Sequence, residues 1–454
     1  MPEPNASLAV RDLVSMLGAW RSGEATLGIG LASAIAHLVE AEKLADGVRL
    51  PAQRALAAEL GISRGTVTTA YEILAGGGYV TAEVGRGSTV SPPNRHRLRL
   101  PGSAAPGVRP IAVDLSTQSL PAGDAFAAVL SRVGPTALRP YLQTDGHHAL
   151  GLPALRAALA RHLTRAGIPT APEQILVTAG AQQALWLAVH ALTERGDTVL
   201  VEDPTYRGVL AVLAGMELRV EARPADDYTL AELRRPPAVA YLQSSVHSPT
   251  GQVRSGELLR ALAATVNRTG LLMIEDRSAA ELVHDAELQN TGLAGQVAPE
   301  RLVTIGTLSK LFWGGLRVGW IRSEPSLVAR IADLKQTIDI TTSVVDQFLA
   351  AEALLDADSA IAERRLLLLE HTAATLRTVT ELRPEWRPLP PEGGSGLWVD
   401  TGADAIAYAM AAQSHGIRIA AGPAFSVRHG FGTHIRLPIW HPPGELANAL
   451  AWVR

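Results

Sequence analysis

The sequence predicts an α/β chain in two parts, a small helical unit closed by a hairpin and a large unit around a mostly parallel sheet. Three observations predict it. Within residues 1–91 helical apolar periodicity recurs four times and is followed by two short β-rich segments around a glycine turn. Residues 92–110 hold five prolines and no apolar periodicity, the composition of a linker. Across residues 111–454 short apolar strands alternate with helical stretches, the pattern of a parallel sheet with helical crossovers.

Composition sets the bounds. A chain of 454 residues, 47% apolar and 19% charged, can bury more than one core. No apolar run approaches the roughly 20 residues that span a bilayer. The N-terminus lacks the basic-then-apolar order of a secretory signal, so a cytoplasmic location is expected. With no cysteine, disulfides, thiolate metal sites and cysteine nucleophiles are excluded. Net charge is only -3, yet residues 49–99 carry seven arginines against three glutamates, a local basic region that points to nucleic acid.

Taken in order, residues 8–20 place Leu8, Leu13, Val14, Leu17 and Trp20 on an amphipathic helix, followed by an expected break at Gly28 and Gly30. A second helix is expected over 31–44 and a third over 52–60, closed by Gly61. Ser63 caps a fourth, which buries Val67, Tyr71, Ile73 and Leu74. The helix, Gly-Ile-Ser turn and helix form a helix-turn-helix, and residues 79–83 and 88–91 flank Val84-Gly85-Arg86-Gly87 as a hairpin wing. The stretches LPAQR, GISR and AYEILAGGGY resemble the GntR family of bacterial regulators over about 60 residues. That resemblance implies that Arg54 and Arg64 contact phosphates, that Gly65, Thr66 and Thr68 face the major groove, and that Gly85 and Arg86 reach the minor groove.

In the α/β part the strands read as QILVTAG, DTVLVED, ELRVEAR, AVAYLQS, LLMIED and LVTIGTLSK. Ligands in such sheets collect beyond the carboxyl ends of strands, so the residues there are the candidates. Ala181 and Gln182 open a helix after a Gly-Ala turn, where free amides bind phosphate. Tyr206 follows the next strand and can stack on a flat ring, and Asp276 ends another, where it can hold a protonated ring nitrogen. Lys310 sits between Thr307, Ser309 and Arg317, an amine beside phosphate-binding groups. The scattered histidines, with the His147-His148 pair lacking a second pair at metal-like spacing, lead to no metal site.

Together these positions resemble the fold-type I aminotransferases, which use pyridoxal 5'-phosphate, from about residue 111 to the C-terminus. The resemblance implies a Schiff base from Lys310, a ring-nitrogen partner in Asp276, stacking by Tyr206, and a phosphate cradle of Ala181, Gln182, Thr307, Ser309 and Arg317. It further implies that Arg436 binds a substrate or effector carboxylate, that Tyr141 corresponds to the tyrosine reaching a partner subunit, and that a smaller C-terminal α+β subdomain is present. Two positions depart from the family pattern. Ser248 stands where an asparagine is usual, and Arg277, Ser278 and Ala279 follow Asp276 where a tyrosine is expected, so the groups that tune the cofactor are altered.

A GntR-type unit at 1–91, a linker at 92–110 and an aminotransferase-like unit at 111–454 resemble the layout of the MocR-type regulators. The resemblance implies a homodimer that binds double-stranded DNA and senses pyridoxal phosphate or a small amino compound forming an aldimine. The alternative is an active aminotransferase with an appended DNA-binding domain.

Overall fold

The computed structural model describes residues 7–18, 20–21, 26–41, 43–83, 87–91, 111–225, 237–428 and 430–451. The expected linker at 92–110 lies outside them, as do Gly85 and Arg86, expected to reach the minor groove.

The N-terminal part consists of α1 (Val10–Leu17), α2 (Leu27–Glu40), α3 (Gln53–Leu60), α4 (Arg64–Gly77) and the antiparallel pair β1 (Val80–Glu83) and β2 (Gly87–Val90). Leu13, Leu31, Ile35, Leu56, Val67 and Leu74 close its core. The two helices of the helix-turn-helix are delimited as their residues require. Gly61 takes a left-handed conformation at the end of α3 (φ 64°), and the Ser63 hydroxyl accepts the Thr66 amide at 3.0 Å to start α4. One expectation is corrected. Gly28 and Gly30 do not break the chain but lie inside α2, which starts at Leu27 and ends at Glu40 rather than running over 31–44. The reason is packing: a Cβ on Gly28 would stand 3.2 Å from the Thr69 methyl of α4, and one on Gly30 would stand 3.3 Å from the Trp20 carbonyl. The glycines let α2 approach its neighbours, which outweighs their poor helix propensity.

The large part is built on seven strands in the order β4 (Ile175–Thr178), β10 (Gly319–Arg322), β9 (Leu302–Thr307), β8 (Leu272–Asp276), β7 (Val239–Gln243), β5 (Thr198–Asp203), β6 (Arg219–Pro224). All are parallel except β10, which runs against both of its neighbours. The six expected strands are present, and β10 is an addition that GWIR, with no alternation between faces, did not signal. β4, β7 and β9 are buried at every residue, with no alternation between faces, because helices cover both faces. These helices include α8 (Ala181–Leu192), α9 (Arg207–Gly215) and α11 (Pro325–Asp339).

The 26-residue α13 (Ala357–Leu382) leads into the C-terminal subdomain. There β11 (Arg387–Leu389), β12 (Gly396–Asp400), β15 (His434–Pro438) and β14 (Ala420–Ala421) form an antiparallel sheet, packed with α14 (Ala405–Ser414) and α15 (Pro443–Ala451).

The two parts touch through α14. Ile406 and Met410 of this helix enter the core of the helix-turn-helix unit. Asp404, which caps α14 by accepting the Ile406 and Ala407 amides, also accepts the Ser33 hydroxyl at 2.6 Å and lies 2.9 Å from His37 Nε2, both on α2. The Gln413 amide donates to the Gly76 carbonyl at 2.9 Å. The hydrogen bond to Asp404 raises the His37 pKa above 6.5 against the effect of burial, with Glu40 adding to the rise. Burial alone would raise the Asp404 carboxyl, but the bonds from His37 and Ser33 overcome it and hold it at about 2. A raised histidine stabilises the contact fully below its free pKa of 6.5 and loses that contribution as pH climbs through the shifted value. The lowered Asp404 contributes above the ordinary carboxyl range and loses its share only as pH falls toward about 2. Docking is therefore expected to be firmest between about pH 4 and 6.5 and to loosen above. Hydrogen exchange of the α14 amides, corrected for intrinsic rates, should show more protection at pH 6 than at pH 8.5, and His37→Ala should remove that difference.

Candidate functional site

The carboxyl ends of β4, β5, β7, β8 and β9 open into one cavity of about 270 Å³. At one end, Gly180 (φ 89°) turns the chain from β4 into α8, leaving the Ala181 and Gln182 amides among the first four of the helix, which have no partner within it. Arg317 lies against this turn and donates to the Ala179 carbonyl at 2.9 Å. The close approach depends on Gly319 at the start of β10, where a Cβ would fall 2.4 Å from the Gly180 carbonyl carbon. Thr307 also lines the cavity, but its hydroxyl is committed, donating to the Val318 carbonyl at 2.9 Å and accepting the Ser309 amide at 3.1 Å. It shapes the loop rather than offering a free donor. Ser309 and Ser278, by contrast, carry buried hydroxyls without a partner among the described residues, and both line the cavity.

Asp276 closes β8. Its Oδ2 accepts the buried Tyr241 hydroxyl at 2.7 Å, and its Oδ1 accepts the Ser278 amide at 2.8 Å. Tyr241, on β7, was not singled out from the sequence, where it looks like any other strand aromatic. Tyr206 follows β5 and is held by its hydroxyl, which donates to Gln182 Oε1 at 3.1 Å, while the Gln182 amide donates to the Gly208 carbonyl at 3.1 Å. Burial pushes the Tyr206 phenol up, and the Asp276 charge adds to it. Lys310 begins the turn after β9. Burial lowers its pKa, Asp276 opposes that, and Arg436 reinforces it, so more of the amine is free to act as a nucleophile. Arg436, on β15, is buried, donates to the Ser116 carbonyl at 2.8 Å and lies over the Phe425 ring at 4.6 Å.

Lys310, Asp276, Tyr206, Ala181, Gln182, Thr307, Ser309, Arg317 and Arg436 thus share one cavity. Two expected residues do not line it. Ser248 follows β7 with a buried hydroxyl that has no partner among the described residues, and its backbone is clasped by Gln243, whose amide donates to the Ser248 carbonyl and accepts its N–H, each at 3.0 Å. Gln243 itself lines the cavity in its place. Tyr141, on the short helix α6 (Arg139–Leu142), packs against Phe348 at 5.7 Å and lies away from the cavity of its own chain. His247 is held by Thr250 at 2.7 Å and the Pro204 carbonyl at 3.0 Å, a structural histidine whose pKa burial lowers strongly.

In the helix-turn-helix, Arg54, Arg64 and Gly65 are exposed at the starts of α3 and α4. Thr66 and Thr68 are half-buried, and their hydroxyls have partners within the motif. The Thr66 hydroxyl pairs with Ser63 at 2.9 Å, and that of Thr68 lies 2.9 Å from Gln53 Oε1 and 3.0 Å from the Arg64 carbonyl. These contacts hold the helix-turn-helix together.

Pyridoxal phosphate fits this donor set. The α8 amides, Arg317 and the unpartnered Ser309 hydroxyl suit a phosphate, while a fixed carboxylate and an aromatic suit a pyridinium ring.

Residues 140–453 match the family described as aminotransferase class I and II, and residues 30–90 match the bacterial regulatory proteins of the GntR family. The HTH-type transcriptional regulator TauR of Rhodobacter capsulatus is 29% identical over 348 residues, covering 70% of this chain and 71% of that protein. Arginine–pyruvate transaminase AruH of Pseudomonas aeruginosa is 32% identical over 325 residues, covering 66% of this chain and 80% of the transaminase. Among solved structures, a multiple substrate aminotransferase from Thermococcus profundus superposes with a TM-score of 0.68 at 25% identity, over 77% of this chain and 90% of that one. The sheet, the cavity and these matches agree, and the chain belongs to the aminotransferase class I and II family, joined to a GntR-type DNA-binding domain as in the MocR-type regulators.

Proposed function

We propose that the chain regulates transcription by binding double-stranded DNA through its winged helix and responding to pyridoxal phosphate or an amino compound held in the aminotransferase-like cavity. The observation that carries this reading is the seat of the helix-turn-helix on α14. Arg436 pairs across the sheet with Ala420 of β14, β14 packs on α14, and α14 inserts Ile406 and Met410 into the DNA-binding unit. A ligand at Arg436 therefore bears on the element that holds the reader of DNA. To act as a switch the ligand must bind one arrangement better than another, and tenfold discrimination corresponds to about 1.4 kcal/mol.

The chain's own residues have defined tasks. Lys310 supplies the amine, Asp276, steadied by Tyr241, holds the ring nitrogen protonated, and Tyr206 covers the ring. Ala181, Gln182, Ser309 and Arg317 bind the phosphate. The cofactor, when bound, supplies an electrophilic carbon that captures primary amines reversibly. Arg436 orients the carboxylate of the incoming compound.

The same reading includes a homodimer in the cytoplasm, where the DNA partner is. Leu142, Ile338, Ile340 and Val345 are exposed apolar residues in two segments tied by Thr341, whose hydroxyl donates to the His148 carbonyl at 3.1 Å. A neighbouring surface of this kind suits a second subunit.

Binding to a DNA fragment from upstream of the chain's own reading frame, followed by fluorescence anisotropy, tests the DNA assignment. Arg64→Ala is expected to weaken binding and to flatten the dependence of log K on log salt by about one unit, the share of one phosphate contact. Unchanged affinity and slope would remove Arg64 from the DNA surface. A second reading, an active transaminase, is favoured by the presence of Lys310, Asp276 and Arg436 together. Sustained turnover of an amino acid near the enzyme median of about 10 per second would establish it.

A further inference from the structure

The cofactor cavity has a larger neighbour. A second cavity, of about 510 Å³ against about 270 Å³ for the first, opens between the end of α7 (Pro153–Arg165), the start of α13 and the turn that follows β8. No described residue lines both, yet the two share a wall. Along residues 276–281, Asp276, Ser278 and Ala279 line the cofactor cavity, while Arg277, Ala280 and Glu281 line the second. Arg365 of α13 lines it too, and follows directly on Arg364, whose guanidinium binds the Leu311 and Phe312 carbonyls after Lys310.

The charges around this second cavity do not balance. Arg165, Arg277 and Arg365 stand against Glu281 and Asp358, and Glu281 is already engaged, its Oε1 3.3 Å from His162 Nε2. Arg277 is buried and committed, donating to the Asn290 side chain at 3.2 Å and to the Asn290 carbonyl at 2.7 Å. Arg165 and Arg365 are not. Arg365 gives its Nε to the Val283 carbonyl at 3.4 Å, and neither guanidinium has a carboxylate in salt-bridge range among the described residues. The lining also includes Leu163 of α7, Trp320 of β10 and Ile361 of α13, an apolar surface. A void of this size is in the usual range for a small molecule, and two guanidiniums free to pair, with an aromatic and aliphatic wall, suit one that is flat and apolar with an anionic end. We infer that the cavity is a second ligand site, taking an organic anion of the aromatic carboxylate class whose carboxylate is held by Arg165 and Arg365. Such a ligand bridges α7 and α13 and bears on the wall shared with the cofactor cavity.

The test compares acid and alcohol of the same skeleton. The full-length protein, with pyridoxal phosphate present to fill the first cavity, is titrated calorimetrically with indole-3-acetate against indole-3-ethanol and with phenylacetate against 2-phenylethanol. At least one acid is expected to bind roughly tenfold or more tightly than its alcohol. Arg165→Gln and Arg365→Gln should each weaken that acid severalfold and leave the alcohol nearly unchanged. Equal affinities of acid and alcohol overturn the inference, and so does the absence of binding by either acid. An acid whose affinity neither substitution alters overturns it too, since that acid then sits elsewhere, at Arg436 for instance. The site does not depend on the reading of the first cavity: an acid preference that persists in protein taking up no pyridoxal phosphate upholds the second site and overturns the cofactor assignment.

Discussion

Lys310→Ala is expected to abolish the visible absorbance that the protein acquires with pyridoxal phosphate. It should also weaken cofactor retention by roughly 100-fold, or about 3 kcal/mol. The magnitude follows from what is lost and what stays. The phosphate groups, Arg317, Ser309 and the amides opening α8, are untouched by the change, so affinity falls but does not vanish. Among the described residues Lys310 is the lysine that lines the cavity, so the proposed covalent bond falls to it. Equilibrium dialysis against the cofactor, read beside the spectrum, separates the two effects. An unaltered spectrum would show that the amine is not the attachment point. If DNA binding then no longer responds to the cofactor while the folded protein still binds DNA, sensing and reading are coupled through this residue.

Arg364→Leu is expected to cost about 3–5 kcal/mol of stability, as large an effect as a single surface-distant substitution usually has. Arg364 stands on α13 and is only 1% exposed. Its Nε donates to the Leu311 carbonyl at 2.7 Å, and its Nη2 donates to the Phe312 and Pro121 carbonyls, both at 2.6 Å. Leucine fills much of the space but leaves the Leu311 and Phe312 carbonyls without donors in the interior and the Pro121 carbonyl without one at its edge. Two of them belong to the residues directly after Lys310, so the loop that presents the amine should loosen. Chemical denaturation measures the first effect and cofactor affinity the second. Arg364→Lys, a point charge on a thinner stem, should recover only part of either. A neutral outcome for both variants would mean that the carbonyls find other donors.

Much of the site was legible in the sequence because its chemistry is local. A strand end followed by a small-residue turn announces a ligand position by itself, and Lys310, Asp276, Tyr206 and the start of α8 each sit at such a place. The helix-turn-helix was legible for the same reason, since Gly61, Ser63 and the apolar spacing of α4 lie within a few residues of one another. Where local rules misled, packing had overruled them. Gly28 and Gly30 read as a break and serve instead as a close-contact face of α2.

From the sequence alone came the two-part order, the parallel sheet, the cofactor class and the lysine proposed to bind it, all carried by short-range pattern. Only the tertiary structure set Tyr241 on Asp276, Gln243 behind Ser248, Arg364 under the Lys310 loop, and α2 on α14. The physical reason is common to most of these contacts. They join residues far apart in the chain, and their energy comes from burying charge or hydroxyl against a partner that no periodicity or spacing reveals.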